Sequence, residues 1–230
     1  MSESVRKMFS AVSRRYDLMN TLITFGLHKK WRKKAVALTK PVKGNFVLDC
    51  AAGTGDFAFE FKKIVANDGK VFAVDFSSDM LKILSEKSEK LNLPVEYSEQ
   101  DVSSLSFPDD YFDIASIGFG VRNFDDPVKT LTEITRVLKN NGKIVILETG
   151  QPNKTIRFFY KIYSEIFIKP SGKIISDDRG AYDYLVNTAS VFPYGDKFIG
   201  LMKNINSISE CKYHKLFQGV AYIYTGIIKK

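Results

Sequence analysis

The stretch Val47-Leu48-Asp49-Cys50-Ala51-Ala52-Gly53-Thr54-Gly55-Asp56-Phe57-Ala58 decides the fold. A short apolar run, a glycine turn and then Phe57, Phe61, Ile64 and Val65 at helical spacing predict strand, loop and helix in succession. Outward from it the alternation continues, with strands predicted at Val71–Asp75, Val95–Gln100, Phe112–Gly120 and Ile144–Leu147. A helix is predicted over Asp79–Leu91. Another starts at Asp126-Pro127, where an N-cap acceptor precedes proline, and Val128, Leu131, Ile134 and Leu138 line its face before the turn Asn140-Asn141-Gly142. Tyr213–Phe217 and Val220–Ile228 lie two residues apart around Gly219 and predict an antiparallel hairpin. The pattern is that of an α/β fold, a doubly wound, mostly parallel seven-stranded sheet with helices on both faces.

The flanks are helical. Val5, Met8, Phe9 and Val12 predict an amphipathic helix over 2–15, and a second is expected over Leu27–Leu38. After residue 150, helices are expected over 155–169, Tyr182–Val191 and Asp196–Asn204. The 230 residues are 44% hydrophobic and 26% charged, with 15 Gly and 7 Pro, which excludes collagen-like and low-complexity chains. No apolar run reaches the roughly 18 residues of a membrane span, and the N-terminus lacks a signal peptide's apolar segment. A cytosolic protein is therefore expected, with Cys50 and Cys211 as reduced thiols. Two His and two Cys in no ligand spacing argue against a metal site.

The net charge of +8 is concentrated in residues 1–43, where eleven Lys/Arg face only Glu3 and Asp17. Such a segment suits nucleic acid, anionic lipid head groups or an acidic partner, or is simply a solvated face. It lacks the aromatic platforms of an RNA reader, which puts nucleic acid second.

Glycine turns between strand and helix let backbone N–H groups approach a ligand at the positive end of a helix. Gly53-Thr54-Gly55-Asp56-Phe57-Ala58 fits G-x-G-x-x-A. Asp49 precedes the loop, Asp75 ends the second strand and Asp101, followed by Val102, ends the third. An acid at Asp75 can accept from both hydroxyls of a ribose, and Asp101 and Val102 fall where an adenine would lie. This constellation suits an adenosine cofactor, either a nicotinamide dinucleotide or S-adenosylmethionine.

Val47–Ala58 resembles the first motif of the Rossmann-like methyltransferases, V-L-D-x-G-x-G-T-G, departing at Ala51 where glycine is usual. In that family the acid at the Asp49 position helps hold the amino-acid part of S-adenosylmethionine, and an antiparallel last strand enters the sheet. Tyr16-Asp17-Leu18-Met19-Asn20-Thr21-Leu22-Ile23-Thr24-Phe25-Gly26-Leu27-His28-Lys29-Lys30-Trp31 resembles the N-terminal signature of the menaquinone/ubiquinone-biosynthesis C-methyltransferases, with Thr24 in place of serine. Arg136–Gly150 resembles their second signature, with Asn140-Asn141 where proline and glycine are common and Gly150 for serine. Gly118-Phe119-Gly120-Val121-Arg122-Asn123 resembles S-F-G-L-R-N, with Gly118 for serine.

The resemblance implies methyl transfer from S-adenosylmethionine to a ring carbon of a prenylated quinol, demethylmenaquinol to menaquinol. It places Asp49, Ala51, Gly53, Thr54, Gly55, Asp75, Asp101 and Val102 at the cofactor. A ring carbon becomes nucleophilic when a quinol hydroxyl, with a pKa near about 10, loses its proton. Arg122 is expected to stabilise the quinolate, and Asn123 and Tyr16 to bind its oxygens. Asn20 is expected at the substrate. His28 either joins them or orients two helices, and Trp31 is expected as a packing anchor. Phe159 and Tyr163, in the aromatic stretch 155–169, are expected to line an isoprenoid groove, unless that helix packs on the core or in a homodimer. The expected organisation is a single domain over 1–230: a basic helical segment (1–43), a cofactor-binding core (44–150), a helical substrate lid (151–206) and the hairpin (207–230). A lipid-dissolved substrate would bring the enzyme to the inner face of an anionic membrane as a peripheral protein. The alternatives are another acceptor on the same fold (lipid, small molecule or RNA) or a non-catalytic adenosine-binding module.

Overall fold

The structure, a computed structural model, describes residues 3–153, 156–158, 188 and 191–230. Seven strands form one sheet: β1 (Phe46–Cys50), β2 (Lys70–Asp75), β3 (Glu96–Glu99), β4 (Phe112–Gly118), β5 (Leu138–Thr149), β6 (Ile208–Leu216) and β7 (Ala221–Ile228), in the order β3-β2-β1-β4-β5-β7-β6. The first five pair in parallel, and β7 enters antiparallel between β5 and β6. The chain reverses direction across the sheet between β1 and β4, and that switch point is where such sheets bind ligands.

Both faces of the central strands are covered, so β1 reads as a continuous apolar run instead of an alternating one. Leu48, Cys50, Ile117, Ile146, Phe198 and Tyr224 pack on one side; Val47, Phe61, Leu84, Ile114, Val145 and Ile223 pack on the other. The helices are α1 (Glu3–Val12), α2 (Tyr16–Thr24), α3 (Leu27–Thr39), α4 (Asp56–Val65), α5 (Ser78–Leu91), α6 (Pro127–Val137) and α7 (Asp196–Lys203). Asp126 caps α6 by accepting from the Lys129 N–H (3.0 Å), with Pro127 in the first turn.

Several boundaries differ from expectation. The helix expected over 2–15 ends at Val12, and a 3₁₀ turn leads into α2, an element the apolar spacing did not separate. A Schellman-type turn then closes α2, the Gly26 N–H reaching Thr21 O (2.8 Å) with Phe25 at φ 52°. Leu138 lies in β5 and not on the helix face, because it pairs with Phe112; the strand continues through Asn140-Asn141-Gly142 with a register shift. β4 stops at Gly118, since Phe119 turns to φ 58°. β6 begins at Ile208, ahead of the expected Tyr213, and the hairpin turns through a 3₁₀ segment, Phe217–Gly219. Most of 155–169 and of Tyr182–Val191, with Phe159 and Tyr163, lies outside the described residues.

Candidate active site

The glycine loop leaves β1 at the switch point. Ala51, Gly53 and Gly55 all adopt positive φ (53°, 55° and 83°), which turns the backbone over the sheet edge and into α4. At Ala51 the left-handed conformation costs about 1–2 kcal/mol that glycine would not incur.

A groove runs along this edge in three adjoining pockets, all touching Ala51. The first lies among Asp49, Gly53, Thr54, Tyr16, Arg32 and Gly118. The second adds Asp75, Phe76, Asn123 and Phe9. The third is a cleft of about 210 Å³ bordered by Asp101, Val102, Phe76, Phe124 and Lys129.

The three acids sit in that order and differ in their bonds. Asp49 is 1% exposed and accepts from Ser116 Oγ (2.7 Å) and the Ala58 N–H (3.0 Å). Burial outweighs those bonds and pushes its pKa up to about 7. Asp75 accepts from the N–H groups of Gly53 (2.8 Å) and Ser77 (2.9 Å), and burial raises it to about 6. Asp101 accepts from the N–H and Oγ of Ser103, both at 2.8 Å. Ser116, which holds Asp49 from β4, carried no signal in the sequence that would have found it.

The N-terminal helices roof the first pocket. Asp17 accepts from Thr54 Oγ1 (2.6 Å) and from Lys87 Nζ (2.9 Å). Lys87 also donates to Asp56 Oδ1 (2.5 Å), and Arg32 approaches the other Asp56 oxygen at 2.9 Å. Burial works against charge on Asp56, but Arg32 and Lys87 outweigh it and hold its pKa below the ordinary value. This network fastens α2 and α3 to α4 and α5.

Tyr16 borders two of the pockets, and burial raises its pKa against a hydrogen bond with Asn20 and the charges of Arg32 and Arg122. His28 is 1% exposed and borders none of the three. Thr24 Oγ1 donates to Asn20 O (2.7 Å), so at 2.6 Å it accepts from His28 Nδ1–H. Burial, reinforced by Arg32, lowers the His28 pKa to about 4, leaving a neutral ring that ties α2 to α3. Trp31 is buried in the core beside α4, as a packing anchor. Burial pushes the Cys50 thiol well up, which keeps it unreactive.

Arg122 and Asn123 lie in a 3₁₀ turn after β4. Arg122 Nη1 donates to Phe119 O (2.9 Å) and to Glu148 Oε1 (2.5 Å). Glu148, on β5, is 1% exposed and also accepts from the Thr149 N–H (2.7 Å) and hydroxyl (3.0 Å). Sequence reasoning gave Glu148 no role. Arg122 Nε, Asn20 Nδ2, His28 Nε2 and Arg32 Nη1 are buried without a hydrogen-bond partner.

Two departures from the family pattern have steric causes. A Cβ on Gly118 would lie 2.7 Å from the Phe57 ring, and one on Gly150 would lie 2.3 Å from the Tyr222 ring. Aromatic rings fill the space that larger residues would need.

A solved structure of a SAM-dependent methyltransferase from Aquifex aeolicus shares the fold, at a TM-score of 0.63 and 20% identity over 86% of this chain and 89% of that one. A ubiquinone/menaquinone biosynthesis C-methyltransferase, UbiE, from Bdellovibrio bacteriovorus is 40% identical over 99% of this chain and 97% of its own. A demethylmenaquinone methyltransferase from Bacteroides fragilis is 36% identical over 97% and 92%. The model of the ubiE/COQ5 methyltransferase family matches residues 1–228. With the sheet order, the glycine loop and the roofing helices in place, the chain belongs to the ubiE/COQ5 methyltransferase family.

Proposed function

We propose that the protein transfers a methyl group from S-adenosylmethionine to a ring carbon of a prenylated demethylmenaquinol-like quinol. The observation that carries this reading is the groove itself, which passes Asp49, Asp75 and Asp101 in order and borders Tyr16 and Asn123, with Arg122 beside Asn123 in the same turn. The residues fit the cofactor. Asp75, ionised above about pH 6, is an acceptor for ribose hydroxyls. Val102, Phe76 and Phe124 supply apolar walls for an adenine beside Asp101. When bound, S-adenosylmethionine supplies an electrophilic methyl on a sulfonium.

The chain's own residues then handle the quinol. Arg122 is a fixed cation that stabilises the oxyanion formed as the quinol loses its proton, and Glu148 fixes its orientation. A guanidinium is a poor base, so Arg122 only holds the oxygen; the hydroxyl proton, and the ring proton released once the new carbon–methyl bond has formed, leave through water to bulk buffer. Tyr16 and Asn123, which line the groove, position the quinol oxygens, and Asn20, which lines none of its three pockets, acts through its hydrogen bond with Tyr16. His28 acts through packing, since its ring is neutral, 1% exposed and lines none of the three groove pockets. Phe159 and Tyr163 are assigned to the isoprenoid tail.

The test is methyl transfer from labelled S-adenosylmethionine to a demethylmenaquinol, in reduced and oxidised forms. Methylation of the reduced form alone is expected. Turnover only with RNA or with a non-quinol lipid would overturn the reading.

The exposed side chains of Arg14, Arg15, Lys29, Lys30, Lys33 and Lys34 support contact with an anionic bilayer, each basic residue contributing about 1 kcal/mol near the surface. Co-sedimentation with phosphatidylglycerol vesicles, lost at high salt, is the expected result; binding to neutral vesicles alone would remove the electrostatic account. Among the described residues no helix is long and apolar enough to cross a membrane.

A further inference from the structure

The pocket at the Asp49 end differs from the other two in pairing a buried acid with a buried cation. Arg32 enters it from α3 with a side chain only 7% exposed. One Arg32 nitrogen, Nη1, lies 2.9 Å from Asp56 Oδ2 but off the hydrogen-bond axis, so the atom is buried without a hydrogen bond. Asp56 already receives a 2.5 Å bond from Lys87. The guanidinium carbon stands 5.9 Å from the centre of the Phe119 ring, which confines it from another side. A buried guanidinium nitrogen at a pocket wall that has an ion-pair partner but no hydrogen bond keeps a donor free for a second acceptor.

The shape of that acceptor follows from the pocket. Asp49 and Arg32 border the same small space together with Tyr16, Gly53 and Gly118. Asp56 borders it too, but Lys87 and Arg32 already meet its charge. Asp49 and the guanidinium are then left to complement an α-amino acid zwitterion, the acid facing an ammonium and the guanidinium a carboxylate. The groove leads from there to Asp75, so the zwitterion would be joined to a ribose. We propose that Arg32 binds the α-carboxylate of the amino-acid arm of S-adenosylmethionine. This assignment rests on the cofactor reading above. It also gives the basic run Lys29–Lys34 one member that faces inward, whereas Lys29, Lys30, Lys33 and Lys34 face solvent.

The experiment is calorimetric titration of the full chain with S-adenosylhomocysteine and 5′-methylthioadenosine, which keeps the adenosine thioether but lacks the amino-acid arm. For Arg32→Gln, S-adenosylhomocysteine should bind about 10- to 100-fold more weakly, as loss of a charge-assisted hydrogen bond implies. Methylthioadenosine should change less than about twofold on the same grounds, and its binding reports that the variant is folded. Arg32→Lys should recover part of the loss. A comparison that needs no substitution uses decarboxylated S-adenosylmethionine, which wild-type protein should bind at least about tenfold more weakly than the parent compound. Equal weakening of both adenosine ligands by Arg32→Gln would make Arg32 a support for the loop and overturn the assignment. Full affinity for the decarboxylated compound would do the same while leaving the cofactor reading intact. Failure of wild-type protein to bind S-adenosylhomocysteine at all would overturn both.

Discussion

Glu148 Oε1 lies 2.5 Å from Arg122 Nη1, and the two side chains are 1% and 6% exposed. The pair joins β5 to the turn after β4, at the end of the sheet where the groove opens. Breaking a buried ion pair on one side leaves an uncompensated charge and costs about 3–5 kcal/mol. Glu148→Gln keeps the shape and an acceptor oxygen, so it should fold, bind S-adenosylhomocysteine near normally and lose turnover. Single-turnover rates beside calorimetric affinities will check this; equal losses in both would mean that the pair shapes the cofactor site.

Arg122→Ala and Asp75→Ala should separate the two halves of the groove. Asp75→Ala removes the acceptor of the Gly53 N–H and should weaken cofactor binding by at least about tenfold. Arg122→Ala should spare binding and depress the methyl-transfer rate. The pair of affinities and rates, measured side by side, assigns each residue.

The raised pKa values of Asp49 and Asp75 set a pH dependence. Each acid binds its proton more tightly in the folded chain than in the unfolded one, so each stabilises the free protein fully below its unfolded pKa. That contribution is lost as pH rises through about 6 and about 7. Ribose hydroxyls and an ammonium favour the ionised forms. Affinity for S-adenosylhomocysteine should therefore rise between about pH 5.5 and 7.5, with proton release, detected by calorimetry in buffers of different ionisation enthalpy. Asp75→Asn should remove the lower step.

Gly118 and Phe57 should be coupled. Gly118→Ser pushes a Cβ into the Phe57 ring and should destabilise by about 1–3 kcal/mol. Phe57→Leu in the same chain should return part of that loss, whereas alone it should destabilise by leaving space. Urea unfolding of the four proteins gives the coupling energy, and strict additivity would show that the ring moves aside freely.

Ala51→Gly should raise stability by about 0.5–1 kcal/mol, since it relieves a positive φ at some cost in unfolded-chain entropy. The urea midpoint checks it.

The sheet was legible because buried parallel strands are uninterrupted apolar runs, and β1, β2 and β4 stand out from the loops around them. Asp49 and Asp75 were legible because each falls at or beside the point where such a run stops, whereas Asp101 follows the polar edge strand β3 and was placed by the alternation of strands and helices. The break between α1 and α2 was not, because Val12, Met19 and Ile23 continue the apolar spacing across it while the chain bends. Glu148 was hidden for a different reason: it meets Arg122, 26 residues earlier, only once β4 and β5 pair. Arg32 looked like one of a run of surface cations, and only the packing of α3 on α4 turns it inward. His28 resembled a catalytic group by residue type, but its pKa of about 4 and its place beside Thr24 come from burial that spacing alone does not reveal.

The insertion of β7 between β5 and β6 has a consequence for synthesis. As the chain leaves the ribosome, β1 to β5 can assemble in order, but Ala221–Ile228, the inner partner of β5, emerge after every other strand. Until then β5 presents an open edge carrying Val145 and Leu147, residues that are fully buried in the finished sheet. Nascent chains stalled before β7 thus expose a template for pairing with one another, and this strand order carries an aggregation hazard during translation.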